Sequence, residues 1–193
     1  MAGHPHYTAV LDACVLYPIT CASALMSLAA EGVFAAKWTR AIEDEWMRNL
    51  EANRLDLKGR LEPRRDAMRR AISDWEVSED AWRSVTTVPA LPDPGDAHVV
   101  AAAIAGHADC IVTRNLVHFP KEQLAPLHIE VIDPDVFIVN QWDLETLTVI
   151  AIFRAERARR QRHPQTPAEF ADSFESNDMP LTADRLRSVL NLL

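Results

Sequence analysis

Val10-Leu11-Asp12-Ala13-Cys14-Val15-Leu16-Tyr17-Pro18 places a carboxylate where an apolar run ends and a helical pattern begins. An open α/β sheet presents reactive groups at its carboxyl edge in this way, with an acid between a strand and the helix that follows. Two further junctions have the same character. Leu91-Pro92-Asp93-Pro94-Gly95-Asp96-Ala97-His98 opens an Ala-rich helix, and Asp109-Cys110-Ile111-Val112-Thr113 reads as a strand running into the polar turn Arg114-Asn115.

Working outward, residues 7–11 read as a strand, 19–31 as a helix and 33–38 as a short strand, which is the βαβ rhythm of a parallel sheet. Thr39 has the chemistry of an N-cap for the helix that carries Glu45, and Gly59 separates that helix from one over 62–75. Residues 84–91, 110–113 and 129–132 complete an expected set of about five strands, with 96–106 as a helix stopped by Gly106. Beyond Asp133-Pro134-Asp135 the texture turns helical: 136–162 reads as one helix, His163-Pro164-Gln165-Thr166-Pro167 as a breaker, and 168–175 and 182–192 as two more helices. The expectation is an α/β domain over residues 1–140, its parallel sheet flanked by helices, and a C-terminal helical appendage over 141–193.

The chain has 193 residues, 48% hydrophobic and 25% charged, enough for one good core and an accessory segment. No apolar run reaches the roughly 20 residues of a membrane helix, and the start lacks a basic region ahead of an apolar stretch, so a cytoplasmic location is expected. Cys14, Cys21 and Cys110 form no C-x-x-C and read as buried thiols. The five Trp residues are scattered, without basic and aromatic interleaving, and read as core. A net charge of −8 excludes nucleic-acid binding by bulk electrostatics. Two local basic runs remain, Lys58 to Arg70 and Arg154 to Arg162, either as solvated helix faces or as contacts for a polyanion; for Arg157 and Arg160 the second reading expects weaker binding on neutralisation with little change in stability.

Hard cations such as Mg²⁺ and Mn²⁺ take oxygen ligands from a few carboxylates, and they activate water for attack on phosphodiesters. Asp12 and Asp96 each read as ligand or as helix cap. On the helix pattern Glu45 shares a stripe with Ile42, Trp46 and Asn49, Glu43 lies beside it and Asp44 points away, so Glu45 is expected near the packed face. His118 reads as a ligand or as a surface residue, His98 as facing away from Asp96, and His4-x-His6 as a weak metal pattern in a tail.

With these residues in view the chain resembles the PIN-domain nucleases over roughly residues 5–140, and Thr113-Arg114-Asn115-Leu116-Val117-His118-Phe119-Pro120 is most similar to their VapC toxin branch. The resemblance implies a five-stranded parallel sheet and a metal-dependent ribonuclease restrained by a small antitoxin protein; apart from it, a homodimer is expected only as the commonest assembly of soluble proteins. It implies Asp12, Glu45 and Asp96 as catalytic and metal-binding residues, with Asp93, Asn115 and His118 as additional metal candidates, Mg²⁺ or Mn²⁺ as the ion, and Thr113, Arg114 and Asn115 facing the RNA substrate. The chain departs from the family at one place: an Asp expected in the turn after β-strand 110–113, at the position of Asn115 or His118, is absent. A PIN domain that binds RNA or a partner and cuts poorly therefore stays open. A haloacid-type phosphatase needs D-x-D where this chain has Asp12-Ala13-Cys14, and a dinucleotide reader needs G-x-G-x-x-G, which follows no strand here.

Overall fold

The computed structural model describes residues 7–193, so the His4 and His6 pattern lies outside the described residues. Strand β1 (Thr8–Leu11) leads through a single turn, α1 (Ala13–Leu16), into α2 (Ile19–Ala30) and then β2 (Ala35–Lys37). The helix α3 (Arg40–Asn53) follows, then α4 (Glu62–Ala71), α5 (Glu79–Arg83), α6 (Ala97–Ala105), β3 (Cys110–Val112), α7 (Lys121–Leu124) and β4 (Glu130–Ile132). The strands pair in parallel in the order β2-β1-β3-β4. Ala9, Val10 and Leu11 of β1 and Cys110, Ile111 and Val112 of β3 are all fully buried, as central parallel strands covered on both faces must be.

The sheet has four strands among the described residues, not the expected five, because residues 84–91 make no ladder. Pro89 removes a donor within that stretch and Pro92 follows it directly, and it runs as a connection whose Val88 and Leu91 lean on the core. What extends the sheet beyond β2 is one parallel bridge, in which Trp38 N donates to Trp75 O and Val77 N to Trp38 O, both at 2.9 Å. Trp38 and Trp75 stack there at 5.1 Å.

Thr39 caps α3 as its sequence indicates, its hydroxyl accepting from Ile42 N at 3.1 Å. On α3, however, the inward acid is Glu43, which is 1% exposed, whereas Glu45 is partly open to solvent and Asn49 is exposed. Glu43 Oε1 accepts from the Trp38 indole at 2.9 Å and from Arg69 Nε at 3.0 Å, and Arg69 forms an ion pair with its other oxygen. A stripe read at 100° per residue misplaces these two glutamates because Trp38 and Arg69, from other elements, decide which carboxylate is covered.

The C-terminal helices are α8 (Pro134–Leu144), α9 (Thr146–Arg159), α10 (Pro167–Glu175) and α11 (Pro180–Arg187). The single helix expected over 136–162 is broken at Glu145, where the backbone leaves the helical region at φ −134°, ψ 54°. No Pro or Gly causes this. The chain folds back so that Trp142 stacks on Phe153 at 5.7 Å, and Phe153 packs edge-on to Phe174 and Phe170; this burial outweighs the local helical preference. α10 carries a full capping box from Thr166 and Glu169. The apolar core runs without interruption from β1 to these helices.

The basic runs are largely structural. Arg64 donates to the Leu16 and Tyr17 carbonyls and lies over Trp46, and burial lowers its guanidinium pKa to about 10. Arg157 donates to Gln165 O and Leu193 O, and Arg160 to Glu156, Gln165 and Ser173 while covering Phe170. Neutralising Arg157 and Arg160 therefore removes ties within the fold, contrary to the expectation of an unchanged stability.

Glu43→Ala should lower stability by about 2 kcal/mol, since it leaves a buried indole N–H and a guanidinium without their acceptor. Glu45→Gln should shift the urea midpoint hardly at all. Equal losses for the two variants would contradict the assignment of Glu43 as the structural acid.

Candidate active site

β1 passes to β2 on one side, and β3 lies on its other side, so the carboxyl ends of β1 and β3 flank the topological switch point of the sheet. Asp12 stands at that point, 2% exposed. Of the two alternatives, the cap is present, and the second oxygen is held by side-chain donors. Oδ1 caps α1, accepting from Ala13 N at 2.6 Å. Oδ2 accepts from the Thr113 hydroxyl at 2.6 Å and from the Cys14 thiol at 3.1 Å. All three donors are neutral, and among the described residues no Lys or Arg forms an ion pair with Asp12, Asp96 or Glu45.

Asp96 does not cap α6. That local work falls to Asp93, whose Oδ1 accepts from Gly95 N at 2.8 Å; a Cβ on Gly95 would sit 3.0 Å from the same oxygen, so glycine permits the approach. Asp96 is left 8% exposed, with Oδ2 at 2.8 Å from His118 Nδ1. Burial pushes its carboxyl above the ordinary carboxylate range; the His118 hydrogen bond pulls it back, and the charges of Asp12 and Asp93 add to the rise. Potential ligand atoms of Asp93, Asp96 and His118 all lie within 4.8 Å of one another.

Glu45 faces the same region from α3. A cleft of about 540 Å³ is lined by Glu45, Asp93, Gly95, Asp96 and His98, with Ala41, Asp44, Arg48 and Asn49 on its rim. His98 is part of this wall, which corrects the expectation that it faces away: its Nδ1 lies 2.8 Å from Gly95 O and its Nε2 3.5 Å from Glu45 Oε2. Burial alone would lower its imidazole pKa, but Glu45, the Gly95 carbonyl and the charge of Asp12 outweigh burial and raise it. The helical spacing from Asp96 to His98 misleads because Asp96 belongs to a 3-10 turn, Pro94–Asp96, and not to α6.

The turn after β3 is held inward. Thr113 is fully buried, its hydroxyl donating to Asp12 and accepting from Asn115 N at 3.0 Å. Arg114 N donates to Cys14 Sγ at 3.2 Å, and the Arg114 guanidinium reaches carbonyls between α10 and α11. Asn115 is half-buried and next to the short helical turn Leu116–His118 that carries His118. Cys14 was not singled out from sequence as a site residue; its signal was its place two residues after Asp12. Burial and the Asp12 charge push its thiol up to about 12, so it stays a donor.

The donor set suits a hard divalent cation: one carboxylate at the carboxyl end of β1 and others in the 3-10 turn that opens α6, without a Lys or Arg ion pair among the described residues although Arg48 stands on the cleft's rim, and with one imidazole that also admits Mn²⁺. Asp93, Asp96 and His118 form the compact group, Asp12 adds its charge at the switch point, and Glu45 stands across the cleft.

Residues 8–117 match the family described as PIN domain, and residues 134–188 match the VapC50 C-terminal domain. A stretch of 49 residues is 49% identical to the protein named "Putative ribonuclease VapC50" of Mycobacterium tuberculosis (strain ATCC 25618 / H37Rv), covering 25% of this chain and 29% of that protein. No solved structure matches the chain. The first of these matches spans more than half of the sequence, and the chain belongs to the PIN domain family.

Proposed function

We propose that this protein is a metal-dependent endoribonuclease, the toxin of a toxin and antitoxin pair. The observation that carries the reading is the compact group of Asp93, Asp96 and His118, with ligand atoms within 4.8 Å of one another, beside the buried Asp12 whose charge acts on Asp96, and with no Lys or Arg ion-paired to Asp12 or Asp96 among the described residues. The relative's printed name, a ribonuclease, supports the same reading. Asp93, Asp96 and His118, with Asp12, would hold Mg²⁺ or Mn²⁺, and the ion when bound supplies Lewis-acid stabilisation of a phosphoryl group and an acidified water. Glu45, which lines the cleft with His98 3.5 Å from one of its oxygens, is the candidate to accept a proton there. The half-buried turn beside Asn115 is the remaining candidate for contact with RNA. His118 takes the place of the missing fourth acid, which keeps the alternative of a weakly cutting, RNA-binding PIN domain.

A small antitoxin protein belongs to this reading. A groove of about 380 Å³ between α2 and α4, lined by Ala22, Met26 and Met68, with exposed Ile19 and both Arg159 and Glu31 beside them, is an apolar surface suited to an amphipathic segment. Among the described residues no helix is long and apolar enough to cross a membrane.

Cleavage of labelled RNA should require Mn²⁺ or Mg²⁺ and stop in chelator, and Asp12→Asn and Asp96→Asn should each reduce it on the order of 100-fold or more. RNA binding without cleavage in the wild-type protein would favour the weakly cutting alternative, and wild-type rates in either variant would remove that residue from the site.

Asp96 also makes a stability prediction. Its pKa is raised in the folded chain, so its ionised form opposes folding above that pKa, and the penalty disappears as pH falls below the ordinary value of 3.8. In chelator, Asp96→Asn should therefore melt higher than wild type at neutral pH, with the gap closing toward acid. A lower melting temperature at all pH values would show that the His118 contact outweighs burial.

His118→Asp should strengthen Mg²⁺ binding, because a hard oxygen replaces a nitrogen, and His118→Ala should weaken Mn²⁺ binding. Calorimetric titration of the three proteins checks both. Equal affinities would place residue 118 outside the ion's ligands.

A further inference from the structure

Arg114 follows the threonine that holds Asp12, and its side chain runs away from the cleft. Nη2 donates to Asn177 O at 2.8 Å and Nη1 to Asp178 O at 3.1 Å, both in the turn between α10 and α11. Two donors on one planar edge fit two consecutive carbonyls as an ammonium cannot. Among the described residues Arg114 forms no ion pair with a carboxylate, and besides these carbonyls its guanidinium lies beside the buried Cys21 thiol. The turn itself is specified: Asp178 adopts φ 56°, in the left-handed region. Asp135, just beyond the end of β4 and 3% exposed, fixes the far side of the turn. Its Oδ2 accepts from Leu181 N at 2.8 Å, and its Oδ1 accepts from the amide and hydroxyl of Thr182 at 2.8 and 2.6 Å. The α10–α11 turn is thus tied to the carboxyl ends of β3 and β4 together.

The other end of the same residue reaches the candidate catalytic carboxylate. Arg114 N donates to Cys14 Sγ, the Cys14 thiol donates to Asp12 Oδ2, and Thr113 donates to the same oxygen. We propose that Arg114 is a positioning residue through which the C-terminal helices fix the Thr113–Asn115 turn and hence the Asp12 carboxylate, so that those helices are part of the site. A packing role alone would be met by an apolar side chain, without the desolvation of a guanidinium. The inference rests on the nuclease reading for its kinetic consequence and on geometry alone for the clamp.

The test uses the full chain with Arg114→Met, Arg114→Lys, Asp178→Pro, the double variant Arg114→Met with Asp178→Pro, and Asp178→Gly, which tolerates positive φ. The first readout needs neither metal nor RNA: the rate at which N-ethylmaleimide labels Cys14, followed by peptide mass spectrometry, with thermal midpoints recorded alongside. Labelling should accelerate about tenfold in Arg114→Met and Asp178→Pro, no further in the double variant, and stay at the wild-type rate in Asp178→Gly. Arg114→Lys, the milder change, should also accelerate it while the midpoint stays near wild type, which guards against a general folding defect. The second readout is single-turnover cleavage in Mn²⁺, where kcat should fall about tenfold at unchanged KM. Unchanged labelling in both Arg114 variants, additive effects in the double variant, or a loss confined to KM would overturn the clamp. Absence of any cleavage by the wild type would count against the nuclease reading alone, because the labelling experiment still decides the clamp.

Discussion

The hydrogen bond from the Thr113 hydroxyl to Asp12 Oδ2, 2.6 Å long and fully buried, joins the two central strands at the point where reactive groups are displayed. Parallel pairing brings Leu11 opposite Val112, so the residues that follow, Asp12 and Thr113, meet across the switch point. The Ala13 amide and the Cys14 thiol complete the shell around the carboxylate. A buried carboxylate is tolerable only with such donors. They orient it without neutralising it.

Charge is therefore concentrated where the sheet can least dilute it. Asp96 feels Asp12 and Asp93 as well as its own burial, and the partners available to the cleft are His118 for Asp96 and His98 for Glu45. By contrast Glu43, only two residues from Glu45, has Arg69 and an indole N–H, and it serves the fold. The contrast separates a structural acid from a candidate metal ligand more clearly than burial does. It also fits a protein whose net charge is −8 yet whose arginines mostly tie helices together instead of facing the cleft.

Much of this was legible in the sequence where local chemistry decides. Asp12 interrupts an apolar run, Thr39 caps its helix, and the strands β1, β3 and β4 fall where short apolar runs predict them. What escaped depends on partners distant in the chain. The break at Glu145 follows from Trp142 meeting Phe153, the exposure of Glu45 relative to Glu43 from Arg69 and Trp38, and the place of His98 from a 3-10 turn that resets the helical phase. The missing fifth strand has a local cause, since Pro89 and Pro92 withhold donors, but the β-branched run Val85-Thr86-Thr87-Val88 masked it. Arg114, expected from sequence to face RNA, instead sends its guanidinium to the α10–α11 turn, a partner more than sixty residues away that no local pattern reveals.

If like-charge crowding at the switch point is what a divalent cation relieves, binding must stabilise the folded chain by mass action. The most direct measurement is the thermal midpoint of metal-stripped protein as Mn²⁺ is added, compared at equal ionic strength with Asp12→Asn. The account requires a saturable rise for the wild-type chain and a much smaller one for the variant. An unchanged midpoint in the wild type, or an equal rise in both proteins, would contradict the claim that these acids form a metal centre.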